Sequence, residues 1–290
     1  MLTYYLNLAM NGLVQGLVIA LAALAINLVF AVGRFPNAAT GDFITVGGYA
    51  GIGVQSLGVK SIYLQALGSV VAASLVGLLS YVLVFRKLFA RSMVASLIAS
   101  IGVAFFTRSV LTFFMGHEQQ VFQLPITRAI VIGGVRIIPS DLWLGAASLG
   151  CLAIVFAVLF LTPLGRRMRA VADNPDLARA SGIKARQVMV ALWLLVGFVC
   201  GIAGIVLGVK TVVTPMMGWD VLLPAFAAAI LGGVGSLGGA VLAGVVLGIA
   251  QELSTPLVGF TYKIALSFVV LMVVLVVRPE GLFGRSEMVR

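Results

Sequence analysis

The sequence predicts an all-α fold, a polytopic transmembrane helix bundle of about 8–9 crossings with one of them short or broken. Three observations predict it. The 290 residues are 61% hydrophobic and only 10% charged, with a mean hydropathy of +1.17; a soluble domain carries roughly 25% charged residues. Eight apolar runs are each long enough for the roughly 17–25 helical residues that cross a bilayer. The basic residues collect mainly between those runs. Helices are expected throughout, because an open strand in lipid leaves its backbone groups unpaired. No polar linker divides the chain, so residues 1–290 read as a single transmembrane domain.

Taken in order, the candidate crossings are 8–32, 38–58, 62–84, 92–115, 141–161, 188–209, 236–255 and 260–277, with a shorter apolar piece at 221–232. Alternating them brings Arg34, the cluster Arg86, Lys87 and Arg91, the six basic residues of 163–187, and Arg278, Arg285 and Arg290 to one side. That is 13 of the 19 basic residues, which makes this side cytoplasmic and places the N-terminus outside. The return from 209 to a cytoplasmic tail needs an odd number of crossings, so 221–232 counts as one and the total is nine. The net charge of +10 is then a matter of orientation, and nucleic acid is not an expected partner. No cleavable signal peptide is expected, since no Lys or Arg precedes a first run that exceeds a signal core. Cys151 and Cys200 lie inside apolar runs without ligand spacing and read as buried bystanders.

The stretch TPLGRRMRAVADNPDLARASGIKARQ (162–187) carries more than retention charges. Asn174 suits an N-cap and Pro175 the first helical position. Asp176 and Arg179 complement the helix dipole, and Gly182 supplies a left-handed cap. A short helix from Pro175 to Ser181 is expected, preceded by another near Gly165 to Ala172. Such a rigid, doubly capped knob suits something outside the membrane that grips it; an ordinary capped loop helix fits the same residues.

LGRRMRAVADNPDLARASGIKARQV resembles the cytoplasmic loop of permease subunits of branched-chain amino acid ABC importers. NAATGDFITVGGYAG (37–51), PAFAAAILGGVGSLGGAVLAGVVLG (224–248) and RPEGLFG (278–284) are similar to three further segments of that family, in the same order along the chain. Thr40 departs from the family's frequent His before the first-motif Gly, so position 40 is given no role. The resemblance implies an ABC importer permease type of fold in the bacterial inner membrane. It implies a second homologous permease as partner, two ATP-binding subunits that bind ATP and Mg, and a periplasmic substrate-binding protein. It also implies that 163–187 carries the coupling helix, with Arg169, Asp173, Asn174, Pro175, Asp176, Arg179, Ala180 and Gly182 shaping the contact with the ATPase. The cargo would be a branched-chain or other small apolar amino acid, with urea or short amides as the alternative.

No cofactor and no metal is expected in the chain itself. Val59 and Val209 stand where a P-loop needs Gly before Lys60-Ser61 and Lys210-Thr211. Gly233-Val-Gly-Ser-Leu-Gly238 spells a dinucleotide fingerprint, but between apolar helical runs rather than after a strand. His117, the single histidine, falls in an outer loop without partners for a metal site or a triad.

A polar path is suggested by Asn7, Asn11 and Gln15, which share one stripe of the first span, and by Asn27 deeper in it. Thr45, Tyr49 and Thr214 are further candidates. Gly232, Gly233 and Gly235 begin a run with seven glycines in 231–248, and 41–58 holds six. Such glycines mark either close helix packing or broken helices lining a path. Asp42 is expected near the inner surface and Arg108, Glu252 and Lys263 near outer ends. No acid is then expected at mid-depth beside another ionisable group, which favours an externally driven path over a self-sufficient secondary transporter or channel.

Overall fold

The computed structural model describes residues 2–88, 92–124, 128–132, 135–259, 262–278 and 281–283. Arg91, Arg285, Arg290, and Pro279, Glu280 and Gly284 of the RPEGLFG segment, lie outside them. The elements are α1 (Leu2–Gly33), α2 (Thr40–Ser56), α3 (Ile62–Leu88, with a π-helical turn at Tyr81–Phe85), α4 (Met93–Met115), the strands β1 (Ile130–Ile132) and β2 (Val135–Ile137), and α5 (Pro139–Leu161). They continue with α6 (Pro163–Asp173), α7 (Pro175–Ala180), α8 (Ala185–Lys210), α9 (Met217–Leu231), α10 (Leu237–Val258) and α11 (Lys263–Val277). The antiparallel pair β1–β2 and an isolated antiparallel bridge between Gln120 and Val213 are the β pairings among the described residues. Among the described residues, six helices, α1, α3, α4, α5, α8 and α10, are long and apolar enough to cross a membrane.

α1 is the hub. Val18 to Ala25 have no exposed surface at all, because its neighbours close on it from several sides. α10 runs antiparallel to it at backbone contact. A Cβ at Gly16 would meet the Val245 backbone, and one at Gly244 or Gly248 would meet Ala20 or Gly16. Gly12 and Gly16 on α1, and Gly244 and Gly248 on α10, lie four residues apart, which places them on facing stripes and lets dispersion contacts form without intervening side chains. α3 and α8 repeat the device, with Gly197 against Ser74 and Gly201 against Val70. Trp193 is fully buried and stacks on Phe85 (4.8 Å) and Tyr81 (5.9 Å), beside the π-helical turn.

Two helices begin halfway through the bundle. After Arg34 the chain climbs without helix: Phe35 stacks on Phe85 (5.2 Å) and the Ala38 N–H donates to Ser100 Oγ (3.0 Å). α2 then starts beside Cys200, in the middle of α8, where the thiol donates to the Thr40 carbonyl (3.8 Å). On the opposite route, Val213 and Gln120 exchange backbone hydrogen bonds (2.8 and 3.0 Å) at the end where α8 finishes. The chain descends from there to α9, whose Gly218 abuts Gly41. Where the sequence predicts one short crossing, three of the apolar segments form short helices among the described residues, α2 at 17 residues and α9 and α11 at 15; of these, α2 and α9 begin halfway through the bundle as half-helices. The segment 38–58 is not a crossing by itself.

Arg34 donates to the Ala172 carbonyl (2.5 Å), and the Leu282 N–H donates to the Leu231 carbonyl (2.8 Å). The ends of α1 and α9, the α6–α7 unit and the C-terminal segment thus share one end of the bundle, as the charge pattern requires.

Candidate functional site

Two constructions stand out: a handle at the basic end and a polar crossing at mid-depth. The handle is built from local capping. The Asn174 side-chain oxygen accepts from the Asp176 and Leu177 N–H groups (3.1 and 3.0 Å), satisfying two donors at the start of α7. At the other end Gly182 adopts φ +79°, the Ile183 N–H donates to Ala178 and the Gly182 N–H to Arg179 (both 3.0 Å). This paired closure stops the helix sharply. α7 ends at Ala180, and α6 spans Pro163–Asp173, a little longer than expected.

The handle is fixed to the bundle, not loosely tethered. Met168 and Val171 are buried on the inner face of α6. Arg169 donates to the Leu159 carbonyl (2.7 Å) and lies over the Phe160 ring (5.7 Å). A Cβ at Gly165 would overlap the Leu159 backbone. Beyond this anchorage, Asp173, Asn174, Asp176, Arg179 and Ala180 are exposed, and Leu177 presents 65% of its surface. Ala178 alone on α7 is buried. Asp176 and Arg179 approach to 3.4 Å, but both face solvent, so their pairing adds little rigidity.

At mid-depth, the sequence-based placement of Asp42 near the inner surface is overturned. Asp42 is fully buried and forms a two-point ion pair with Arg108 of α4: Nε to Oδ1 at 3.0 Å and Nη2 to Oδ2 at 3.1 Å. The reason is the late start of α2, which lifts its first turn to the middle of α8. Arg108 also lies over the rings of Trp219 (4.8 Å) and Phe105 (5.5 Å), which places its delocalised charge between α2, α4 and α9. The exposed Asp220 next to Trp219 lies within reach of the same charge. An acid therefore does sit at depth beside another ionisable group. Glu252 and Lys263 are also paired with each other, and Lys210 pairs with Asp141 (2.9 Å).

The proposed path residues are scattered. Asn27 ties down the turn between α9 and α10: its amide nitrogen donates to the Ser236 and Gly233 carbonyls (3.2 and 3.4 Å), and the Gly235 N–H donates to its oxygen (3.4 Å). Gly232 packs backbone to backbone on Gly239 and Ala240. A helix precedes this turn, so its fingerprint-like glycines lack the strand that dinucleotide binding requires. Thr45 accepts from the Gly218 N–H (3.1 Å) and donates to the Gly41 carbonyl (3.2 Å), joining the two half-helix starts. Tyr49 is buried, with no partner for its hydroxyl among the described residues. Asn11 accepts from Lys210 (3.4 Å). Gln15 and Thr214 line a cavity of about 410 Å³ at the end opposite the handle. Sequence reasoning missed Arg108 as the partner of Asp42, and it missed the role of Gly218; the Trp219-Asp220 pair immediately before the short apolar piece 221–232 was the available signal.

The comparisons with known proteins agree on one class. The LivH permease protein of the high-affinity branched-chain amino acid transport system of Escherichia coli K12 is 27% identical over 300 residues, covering 98% of this chain and 97% of LivH. BraD, the corresponding permease protein of Pseudomonas aeruginosa, is 27% identical over 310 residues with the same coverage. The solved structure of PsaBC from Streptococcus pneumoniae, in complex with Fab, aligns over 97% of both chains with a TM-score of 0.51 at 14% identity, a likeness of fold. The family model described as branched-chain amino acid transport system / permease component matches residues 8–277. With its multi-pass apolar bundle and that match over nearly its whole length, the chain belongs to the permease components of branched-chain amino acid transport systems.

Proposed function

We propose that this chain forms the membrane path of an ATP-driven importer for a branched-chain or other small apolar amino acid, and that a separate ATPase drives it by gripping α7. The observation that carries the reading is the construction of the handle. A six-residue helix is too short to be stable by itself, yet α7 is capped at both ends and braced through α6 against α1 and α5. A stiff helix presenting Leu177, Asp176 and Arg179 to solvent transmits a displacement; a slack loop absorbs it. The relatives' names supply the cargo class. In this reading the handle is cytoplasmic and the N-terminus of α1 lies outside, following the basic residues. A second permease, a second ATPase and an external binding protein complete the assembly, and nucleotide and Mg reside on the ATPases.

Substitution at the cap tests this reading. Gly182 occupies the left-handed region, where a β-branched residue is strained by about 1–2 kcal/mol. Gly182→Val should reduce the ATPase that co-purifies with the permease by about fivefold or more, while membrane insertion and permease yield stay at wild-type level. Asp176→Ala should act in the same direction. Co-purification at wild-type stoichiometry with both variants removes α7 from the coupling contact.

A further inference from the structure

A groove of about 900 Å³ runs from the cap that ends α7 along the first turns of α8. Arg179, Lys184 and Arg186 line one end, Val190, Ala191 and Leu194 the other, and no acidic residue lines it. Among the described residues, Lys184 and Arg186 are exposed and have no ion-pair partner, and Arg179 has only the solvent-facing Asp176 at 3.4 Å. Arg86, at the end of α3, adds to this corner: its charge and that of Arg186 both act on the Tyr81 hydroxyl. Val190, Ala191 and Leu194 follow Gln187 at the spacing of one helix face, and Leu194 keeps 40% of its surface exposed. From Ala185 to Leu194 the groove rises roughly 14 Å along the helix, at about 1.5 Å per residue. Its apolar end therefore lies well inside a helix fit to cross a membrane, beside α3, whose Ser74 donates to the Leu194 carbonyl (3.4 Å).

A ligand for this groove carries an anion at one end and hydrocarbon at the other. We propose that the groove seats an anionic phospholipid of the leaflet on the handle side, with its phosphate at Arg179, Lys184 and Arg186 and an acyl chain along Val190, Ala191 and Leu194. Basic pockets beside membrane helices take anionic headgroups; a zwitterionic lipid brings its own cation to the phosphate and gains less there. A soluble protein can meet the basic end but cannot follow the groove into the hydrocarbon. Gly182 also lines the groove, so the lipid touches the cap of α7 and steadies the handle from its membrane side. The inference takes from the transport reading only the position of the handle at a membrane surface, and nothing about the cargo.

Lipid retention by the full chain tests it, read by native mass spectrometry after purification from an equal mixture of phosphatidylglycerol and phosphatidylcholine. The wild type should retain phosphatidylglycerol over phosphatidylcholine at least fivefold. Lys184→Gln with Arg186→Gln, or Ala191→Trp, which fills the apolar end, should each lower that retention at least fivefold at an unchanged size-exclusion profile. Arg166→Gln with Arg167→Gln removes the same charge from exposed positions of α6 outside the groove and should leave retention at wild-type level. Glycerol 3-phosphate, which has the phosphate but no acyl chain, should not displace the lipid. Equal retention of the two lipids by the wild type, wild-type retention in both groove variants, an equal loss in the α6 control, or displacement by glycerol 3-phosphate overturns the proposal. So does a loss of ATPase co-purification with Lys184→Gln and Arg186→Gln at intact lipid retention, which gives the groove to the ATPase. Retention is read without transport, so its failure leaves the transport reading standing; absence of ATP-driven leucine uptake by the complete assembly refutes that reading and leaves the groove its lipid.

Discussion

Arg108→Met should destabilise the protein far more than the double replacement Asp42→Asn with Arg108→Met. The Asp42 carboxylate has no exposed surface and Arg108 is 12% exposed, so neither charge finds water once its partner is gone. Removing one member of a buried pair costs about 3–5 kcal/mol, because it strands the other charge; replacing both by neutral residues of similar size is often close to neutral. The single variant should therefore unfold at markedly lower temperature or denaturant, and the double variant should recover most of the loss. Thermal unfolding of the purified variants in one detergent checks this. A double variant as unstable as Arg108→Met would mean that the ring contacts with Trp219 and Phe105, not the charge pairing, carry the energy.

Gly218→Val should prevent normal assembly of the bundle, whereas Gly53→Ala should be tolerated. Both glycines belong to half-helices, but their surroundings differ. A Cβ at Gly218 would overlap the Gly41 carbonyl and crowd Thr45 Oγ1; one at Gly53 meets nothing within 4 Å. Overpacking a filled site costs about 1–3 kcal/mol when side chains can adjust. At Gly218 the obstacle is backbone, so α9 must move, which also breaks the bond from its N–H to Thr45. The yield of monodisperse protein after size-exclusion chromatography reads the difference. A Gly218→Val variant matching the wild type would show that the two half-helix starts do not need backbone contact.

What was legible in the sequence was local or periodic. The caps of α7 could be read because Asn174, Pro175 and Gly182 act on their own few residues of backbone, and the structure forms each of those bonds. Long apolar runs gave α1, α3, α4, α5, α8 and α10 for the same reason: bilayer thickness sets their length. Depth was not legible. Counting inward from the presumed end of a span put Asp42 at the surface, but the rise of 34–39 is fixed by Phe35 on Phe85 and by Ser100, partners far away in sequence. Glycine content was equally ambiguous. Gly41 and Gly47 lie against neighbouring backbone while Gly53 and Gly58 face open space, within one run of similar composition. The stripe Gly197, Gly201, Gly204 and Gly208 on α8, spaced for one helix face, went unread although its spacing alone marks a packing seam.

The most direct measurement is leucine uptake into proteoliposomes with no ion gradient and no membrane potential, comparing this permease alone with the permease assembled with its partner permease, ATPase subunits and binding protein. Uphill accumulation should require the ATPases and ATP, and should fall steeply when Gly182→Val loosens α7. Accumulation against a gradient by this chain alone, without a nucleotide-hydrolysing companion, would contradict the central claim that a separate motor drives the path through the handle.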